Sequence, residues 1–330
     1  MELIYYLVCV VTGVSFMAKR ISIINFKGGI GKTTLSFQFA AGLARFHNAR
    51  VLLMDMDHQS SLSIVSLGAT VWQRCVNQGK TVNEIFKPFH VQGYQTPNAS
   101  IIEHQAIKNP YIANYYATLD IVPSSLELDD IEIELTASHL GNAIQSEWEK
   151  RTLLCKWLEQ TNVDHLYDYI IFDCPPATKI VSQNAIAASH GYIIPIVPEA
   201  VMERGAPHLV RMISNGIDRR LNALAPFGAS RSIFVSNTQL VGLVITRIQT
   251  NGRAASGYTD DHTRHLDSIK RTWGNMLIEP YIVQGTGVSQ ALDDGVPVYD
   301  RSYTQNIGDR GINVYYEQVT QALKARVDVL

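Results

Sequence analysis

Residues 19–46 read KRISIINFKGGIGKTTLSFQFAAGLARF. A β-branched apolar run gives way to a glycine-rich turn, and the turn to an apolar-periodic segment opening on Lys32, Thr33 and Thr34. That order predicts a strand, a phosphate-binding loop and a helix N-terminus. Gly28, Gly29 and Gly31, with Ile30 between them, let the backbone fold tightly and turn its N–H groups inward. The helix that follows adds its positive dipole end, so loop and helix together cradle an anion. Lys32 is placed to reach β- and γ-phosphates, the Thr33 hydroxyl suits a magnesium ion bridging them, and Thr34 can bond an α-phosphate. The plainer alternative is a tight strand-to-helix turn carrying a chance GKT, and the strand–loop–helix context weighs against it.

The strict pattern G-x-x-x-x-G-K-[ST] is missed by one residue, because Phe26 stands where its first glycine belongs, and Lys27 stands beside it. The string KGGIGKTT, with a second lysine ahead of the paired glycines, resembles the deviant phosphate loop of the ParA/MinD group of ATPases. In that group the extra lysine reaches across a nucleotide-sandwiched dimer, which by resemblance assigns Lys27 to a partner's phosphates.

Two further strand ends carry carboxylates. Residues 50–57, RVLLMDMD, form a continuous apolar run ending in Asp55 and Asp57, the pattern of a buried parallel strand whose C-terminal end lies at the ligand edge of a sheet. The family's segment reads D-x-D-P-Q, and here His58 replaces the proline. The resemblance implies that Asp55 supports the magnesium shell and Asp57 positions the attacking water; a helix cap after a strand is the structural alternative for Asp57. Residues 168–177, DYIIFDCPPA, predict a buried strand ending in Asp173, which places a carboxylate beside the phosphate loop to hold magnesium's water shell.

The remaining chain predicts alternating elements. A short helix is expected near Thr81–Phe86, a strand in LDIVPSSLEL from Leu119, and helices over 129–140 and 142–160, with Trp148 and Trp157 as core or interface anchors. Core strands are expected at 190–198 (HGYIIPIVP) and 240–246 (LVGLVIT). By resemblance Pro198 joins the nucleotide residues, and Thr246 and Arg247 neighbour adenine. No N/T-K-x-D signature stands at a comparable strand end, which favours ATP over GTP. Arg253, Arg264, Lys270 and Arg271 gather beyond that strand, where partition ATPases of this type bind DNA; Asp260, Asp261 and Asp267 dilute the charge, and a solvated face is the alternative. The segment 281–300 is similar to the family's A-x-x-x-G-x-P region but lacks its I-P-R. Residues 312–327 read as a packing helix, less basic than a membrane-targeting one.

Composition is that of an ordinary globular chain: 330 residues, 46% hydrophobic, formal net charge -2. Such a balance argues against a histone-like role and leaves any nucleic-acid contact to a local basic patch. Cys9, Cys75, Cys155 and Cys174 include no C-x-x-C pair, suggesting reduced thiols and no zinc site. Residues 1–16 are apolar with no basic residue before them, too short to span a bilayer and poorly matched to a secretory signal. The expectation is that Met17 is the true start, with residues 1–16 a spurious or disordered extension and a membrane anchor the alternative, and that 17–330 form one phosphate-loop ATPase domain.

The expected fold is an α/β doubly wound, mostly parallel sheet with helices on both faces. From the residues alone follows a magnesium-dependent nucleoside triphosphatase using ATP and Mg2+. The ParA/MinD resemblance adds an ATP-dependent homodimer, nonspecific binding of double-stranded DNA, a ParB-like centromere-binding partner and a cytoplasmic, nucleoid-associated place in plasmid or chromosome partition, with no stable membrane association. The competing readings are a MinD-like membrane or protein-cargo positioning ATPase and a cobyrinic acid synthetase-like amidating enzyme.

Overall fold

The computed structural model describes residues 17–176, 178–253, 257–301 and 311–330. The expected extension at residues 1–16 lies outside them. The apolar run before the glycines forms β1 (Lys19–Ile23), and the loop delivers the chain into α1 (Lys32–His47). Then follow β2 (Val51–Asp55), α2 (Ser61–Leu67), α3 (Ala69–Asn77), α4 (Asn83–Phe86), β3 (Leu119–Val122), α5 (Leu128–Ala137), α6 (Ala143–Glu149), α7 (Leu153–Thr161) and β4 (Tyr169–Asp173). The second half holds α8 (Ile180–Ala188), β5 (Gly191–Ile196), α9 (Ala200–Arg211), a π-helical stretch over Met212–Asp218, α10 (Arg219–Leu224) and β6 (Gln239–Ile245). The chain ends through α11 (Asp260–Trp273), β7 (Leu277–Ile278), α12 (Thr286–Asp293) and α13 (Ile312–Val327).

Seven strands pair in the order β3-β2-β4-β1-β5-β6-β7, all parallel, with helices on both faces. β2 and β4 are buried along their whole length, which is why their sequences are continuously apolar and not alternating. From β1 the chain runs outward to β2 and β3, returns to insert β4 between β2 and β1, and then crosses to β5. The winding therefore changes direction at β1, and ligands of such sheets bind beyond the strand ends at that point. Register does the rest: Ile23 lies opposite Asp173 and Asp173 opposite Asp55, so the glycine loop and two carboxylates leave the sheet at one edge.

α1 packs closely on α13. A Cβ on Gly42 would stand 2.7 Å from Thr320 Oγ1 and 2.8 Å from the Tyr299 hydroxyl, so glycine sets that spacing. At the opposite end of β1, buried Arg20 holds buried Asp164 through two bonds of 2.8 and 2.9 Å and also donates to the Ile233 carbonyl, 3.1 Å away. Trp148 and Trp157 are core residues, as expected.

One expectation is corrected. The helix predicted over 142–160 is two helices, α6 and α7, separated at 150–152. Arg151 and Thr152 N–H donate to the carbonyls three residues back (Trp148, 3.1 Å; Glu149, 3.2 Å), tightening the turn, and Asn184 of α8 takes over the bonding on both sides of the break. Its side-chain oxygen accepts from Leu154 N–H and its amide donates to the Lys150 carbonyl. The helix predicted over 129–140 ends at Ala137, and β7 has no counterpart among the predicted strands. Among the described residues no helix is long and apolar enough to cross a membrane.

Candidate functional site

The glycine loop takes the conformation its residues allow. Gly29 (φ 71°) and Gly31 (φ 86°) lie in the left-handed region that favours glycine. A Cβ at Gly28 or Gly29 would meet no protein atom within 4 Å, so what glycine keeps clear there is the cavity itself. That cavity measures about 660 Å³, within the range of small-molecule sites. Gly28, Gly29, Gly31, Lys32, Thr33 and Thr34 line one side, with Asp57 beside them.

Lys32 is buried, and its Nζ donates to the Lys27 carbonyl at 3.2 Å. Burial lowers its pKa, and the carboxylates of Asp173 and Asp57 oppose that shift. Asp173 is pushed up to about 7, first by burial and then by neighbouring Asp55, while the hydroxyls of Thr33 and Ser36 and the Lys32 charge pull it back. Ser36 Oγ donates to Asp173 Oδ1 at 2.8 Å; Oδ2 is buried and accepts no hydrogen bond from the described residues. A buried carboxylate oxygen without a donor, next to a threonine hydroxyl on a phosphate loop, fits a hydrated magnesium ion.

Asp55 is held by donors from the chain that follows it. Its carboxylate is buried and already satisfied: Oδ1 accepts from Asp57 N–H at 3.1 Å, and Oδ2 accepts from Ser63 N–H at 2.9 Å and Ser63 Oγ at 2.7 Å. Burial pushes it up to about 6 against those bonds. Asp55 thus shapes the turn that presents Asp57. Asp57 Oδ1 accepts from Gln59 N–H at 3.0 Å, His58 Nδ1 stands 3.6 Å from the same oxygen, and Ser124 Oγ holds the Asp57 carbonyl at 2.7 Å. Ser63 Oγ also accepts from Ser124 N–H at 2.9 Å, which joins the ends of β2 and β3. Sequence reasoning passed over Ser63 and Ser124 because a serine after a strand carries no pattern of its own.

Lys27 does not line this cavity. It lines an adjoining recess of about 290 Å³ and pairs with Glu199, both about one-third exposed (36% and 40%). Thr246 lies under the loop, its hydroxyl donating to Ile30 O at 2.7 Å, and Arg247 (φ 54°) lays its guanidinium on the Gly29 carbonyl. Ile30 is buried in the recess wall. Pro198 is buried and absent from both described linings. The far wall of the cavity comes from the 281–300 segment, through Val283, Val288 and Leu292, and from Tyr316 of α13, which no motif singled out.

Of the basic residues beyond β6, Arg264, Lys270 and Arg271 lie on α11 and Arg253 precedes it. Arg253 and Arg271 are exposed, Arg264 (76% exposed) pairs with Asp261 at 3.1 Å, and Lys270 stands 5.3 Å over the Tyr281 ring.

A family model, AAA_31, described as an AAA domain, matches residues 18–225, the segment from β1 through α10 that carries the loop and all three aspartates. The chain belongs to this family, in its ParA/MinD type. The sporulation initiation inhibitor protein Soj of Bacillus subtilis is 26% identical over 91% of this chain and 96% of its own length. A putative plasmid partition protein of Borrelia burgdorferi, bound to AMPPNP, superposes with a TM-score of 0.64 at 22% identity, covering 94% of this chain and 99% of that one. Cobyrinic acid a,c-diamide synthase of Mycobacterium smegmatis, with ADP and magnesium, superposes with a TM-score of 0.62 at 18% identity, over 94% and 96%. At those identities the superpositions speak for the shared fold.

Proposed function

We propose that this family member is a partition-type ATPase: ATP with magnesium joins two copies face to face, the dimer binds double-stranded DNA nonspecifically, and hydrolysis, stimulated by a ParB-like partner, releases it. The observation that carries the reading is the division of labour between the two lysines. Lys32 lines the cavity; Lys27 lines the recess beside it, about one-third exposed and paired with Glu199, suited to phosphates held by a second copy.

In this account the loop N–H groups and Lys32 hold the β- and γ-phosphates, and Thr34 bonds the α-phosphate. Thr33 and Asp173 would hold the metal, which would supply positive charge against the phosphate oxygens. Asp57 orients the attacking water, and Asp55 acts through the Asp57 turn. The apolar far wall, with Thr246 and Arg247 at its edge, takes adenine. Arg253, Arg264, Lys270 and Arg271 serve DNA as separate phosphate contacts. No covalent intermediate is needed, so catalysis is charge neutralisation plus water placement, and turnover without the partner is slow.

DNA co-sedimentation with ATP, ADP and no nucleotide, at low and moderate salt, tests the cycle. ATP-dependent binding that falls with salt by a log–log slope of about -0.9 per neutralised phosphate is expected. ATPase activity without DNA binding under any of these conditions would refute the DNA arm.

A further inference from the structure

A second recess, of about 340 Å³, shares no lining residue with the nucleotide cavity. It lies between the α6–α7 break, the start of α8 and α10, and is lined by Lys150, Arg151, Lys179 and Arg220. Among its described lining residues Glu147 is the one carboxylate. Three cations converge on it: Lys150 Nζ at 2.7 Å, Arg151 Nη1 at 2.6 Å and Arg220 Nη2 at 2.6 Å. Lys179 at the mouth leans more loosely on Asp129 (3.4 Å) and Glu132 (3.6 Å).

One carboxylate cannot balance three cations. Lys150 and Arg151 are 2% and 7% exposed, so water screens their surplus charge poorly. Burial, and after it the neighbouring Arg220 guanidinium, lowers the Arg151 pKa; burial pushes Glu147 up, yet the three cations together hold it below the usual carboxylate range. The floor of the recess is fixed. Arg151 Nε donates to Gln183 Oε1 at 2.8 Å, and Gln183 Nε2 donates to the Thr178 carbonyl at 2.9 Å. Lys179 and Arg220, by contrast, are 55% and 54% exposed, so their ion pairs with Asp129, Glu132 and Glu147 are open to water and can exchange for an incoming anion. Planar guanidinium forks held in place beside a lysine suit the paired oxygens of a phosphate.

We propose that this recess is an anion site for a small phosphate-bearing anion, a phosphomonoester or pyrophosphate, gripped by Lys179 and Arg220 at the mouth and by Arg151 on the floor. Its volume suits a small molecule and is far too small for a duplex, whose backbone could offer only an edge. The site stands apart from the nucleotide reading and does not depend on it.

Calorimetric titration of pyrophosphate, without metal, at fixed ionic strength tests it. The titrated proteins are the Lys32→Ala chain, with its phosphate loop disabled, and the same chain carrying Lys179→Ala and Arg220→Ala. Because those two side chains are exposed, their removal spares the core, which circular dichroism checks. Saturable one-to-one binding is expected in the first protein, weakened about tenfold or more in the second. Equal affinity in both, or no saturable binding in the first, overturns the proposal. So does a duplex oligonucleotide that binds through Lys179 and Arg220 where pyrophosphate does not.

Discussion

Replacing Ser63 by alanine isolates the junction that presents Asp57. The Ser63 hydroxyl donates to the buried Asp55 carboxylate at 2.7 Å and accepts from the buried Ser124 N–H at 2.9 Å, so one oxygen joins the ends of β2 and β3. A hydrogen bond to a charged group contributes about 1.5–3 kcal/mol, and a buried donor left without an acceptor costs about 1–3 kcal/mol. The Asp55 carboxylate keeps the Ser63 N–H at 2.9 Å, which limits the loss, and alanine returns a few tenths of a kcal/mol as the better helix former. The expected cost is about 2–4 kcal/mol in urea unfolding followed by circular dichroism, with the slope of the transition unchanged. Ser63→Thr keeps the hydroxyl and should recover most of it. A loss below about 0.5 kcal/mol would refute the reasoning, since a surface serine would give as much.

Asp57→Ala should leave nucleotide binding intact while lowering phosphate release about 100-fold, the lower range for a positioned carboxylate; unchanged release removes it from the chemistry. Gly42→Val drives a branched side chain into Thr320 and Tyr299 and should cost about 1–3 kcal/mol or more in urea unfolding, and a neutral result would mean α1 and α13 separate easily. His190 gives a pH effect of definite sign. Burial, with Arg20 and Lys19 nearby, lowers its pKa to about 4, and its Nδ1 accepts the Arg20 N–H at 3.1 Å. The unfolded chain binds that proton near pH 6.5 and the folded chain does not, so the stabilisation is present above pH 6.5 and is lost as pH falls toward 4. Between pH 7 and 5 the loss should be about 1–2 kcal/mol after discounting for partial exposure, and His190→Asn should flatten it. An unchanged pH profile in that variant rules His190 out as the source.

What the sequence disclosed was whatever sits in consecutive residues. KGGIGKTT, DMD and IIFDCPP each lie at one strand end, so the parallel sheet, the loop and the three aspartates were readable before any fold was known. What was not readable arises between segments far apart. The far wall of the cavity joins residues 282–292, whose likeness to the family's pattern gave them no place in space, to Tyr316, which in sequence looks like any core residue of a packing helix. The donors that hold the Asp55 carboxylate come from Ser63, eight residues on, which no motif links to it. The helix expected across 142–160 has the right periodicity on both sides of its break; Asn184, from another helix, makes the break possible. The Lys150–Arg151–Arg220 cluster is likewise a product of packing, with no sequence motif to announce it.

The central claim is that the two lysines serve two different copies of the chain. Sedimentation velocity of the Asp57→Ala protein with ATP and magnesium, against the same protein carrying Lys27→Ala, tests it most directly, with nucleotide binding measured in parallel. The account predicts a dimer in the first and a nucleotide-bound monomer in the second. A dimer of equal stability in both, or none in either while nucleotide is bound, would contradict it.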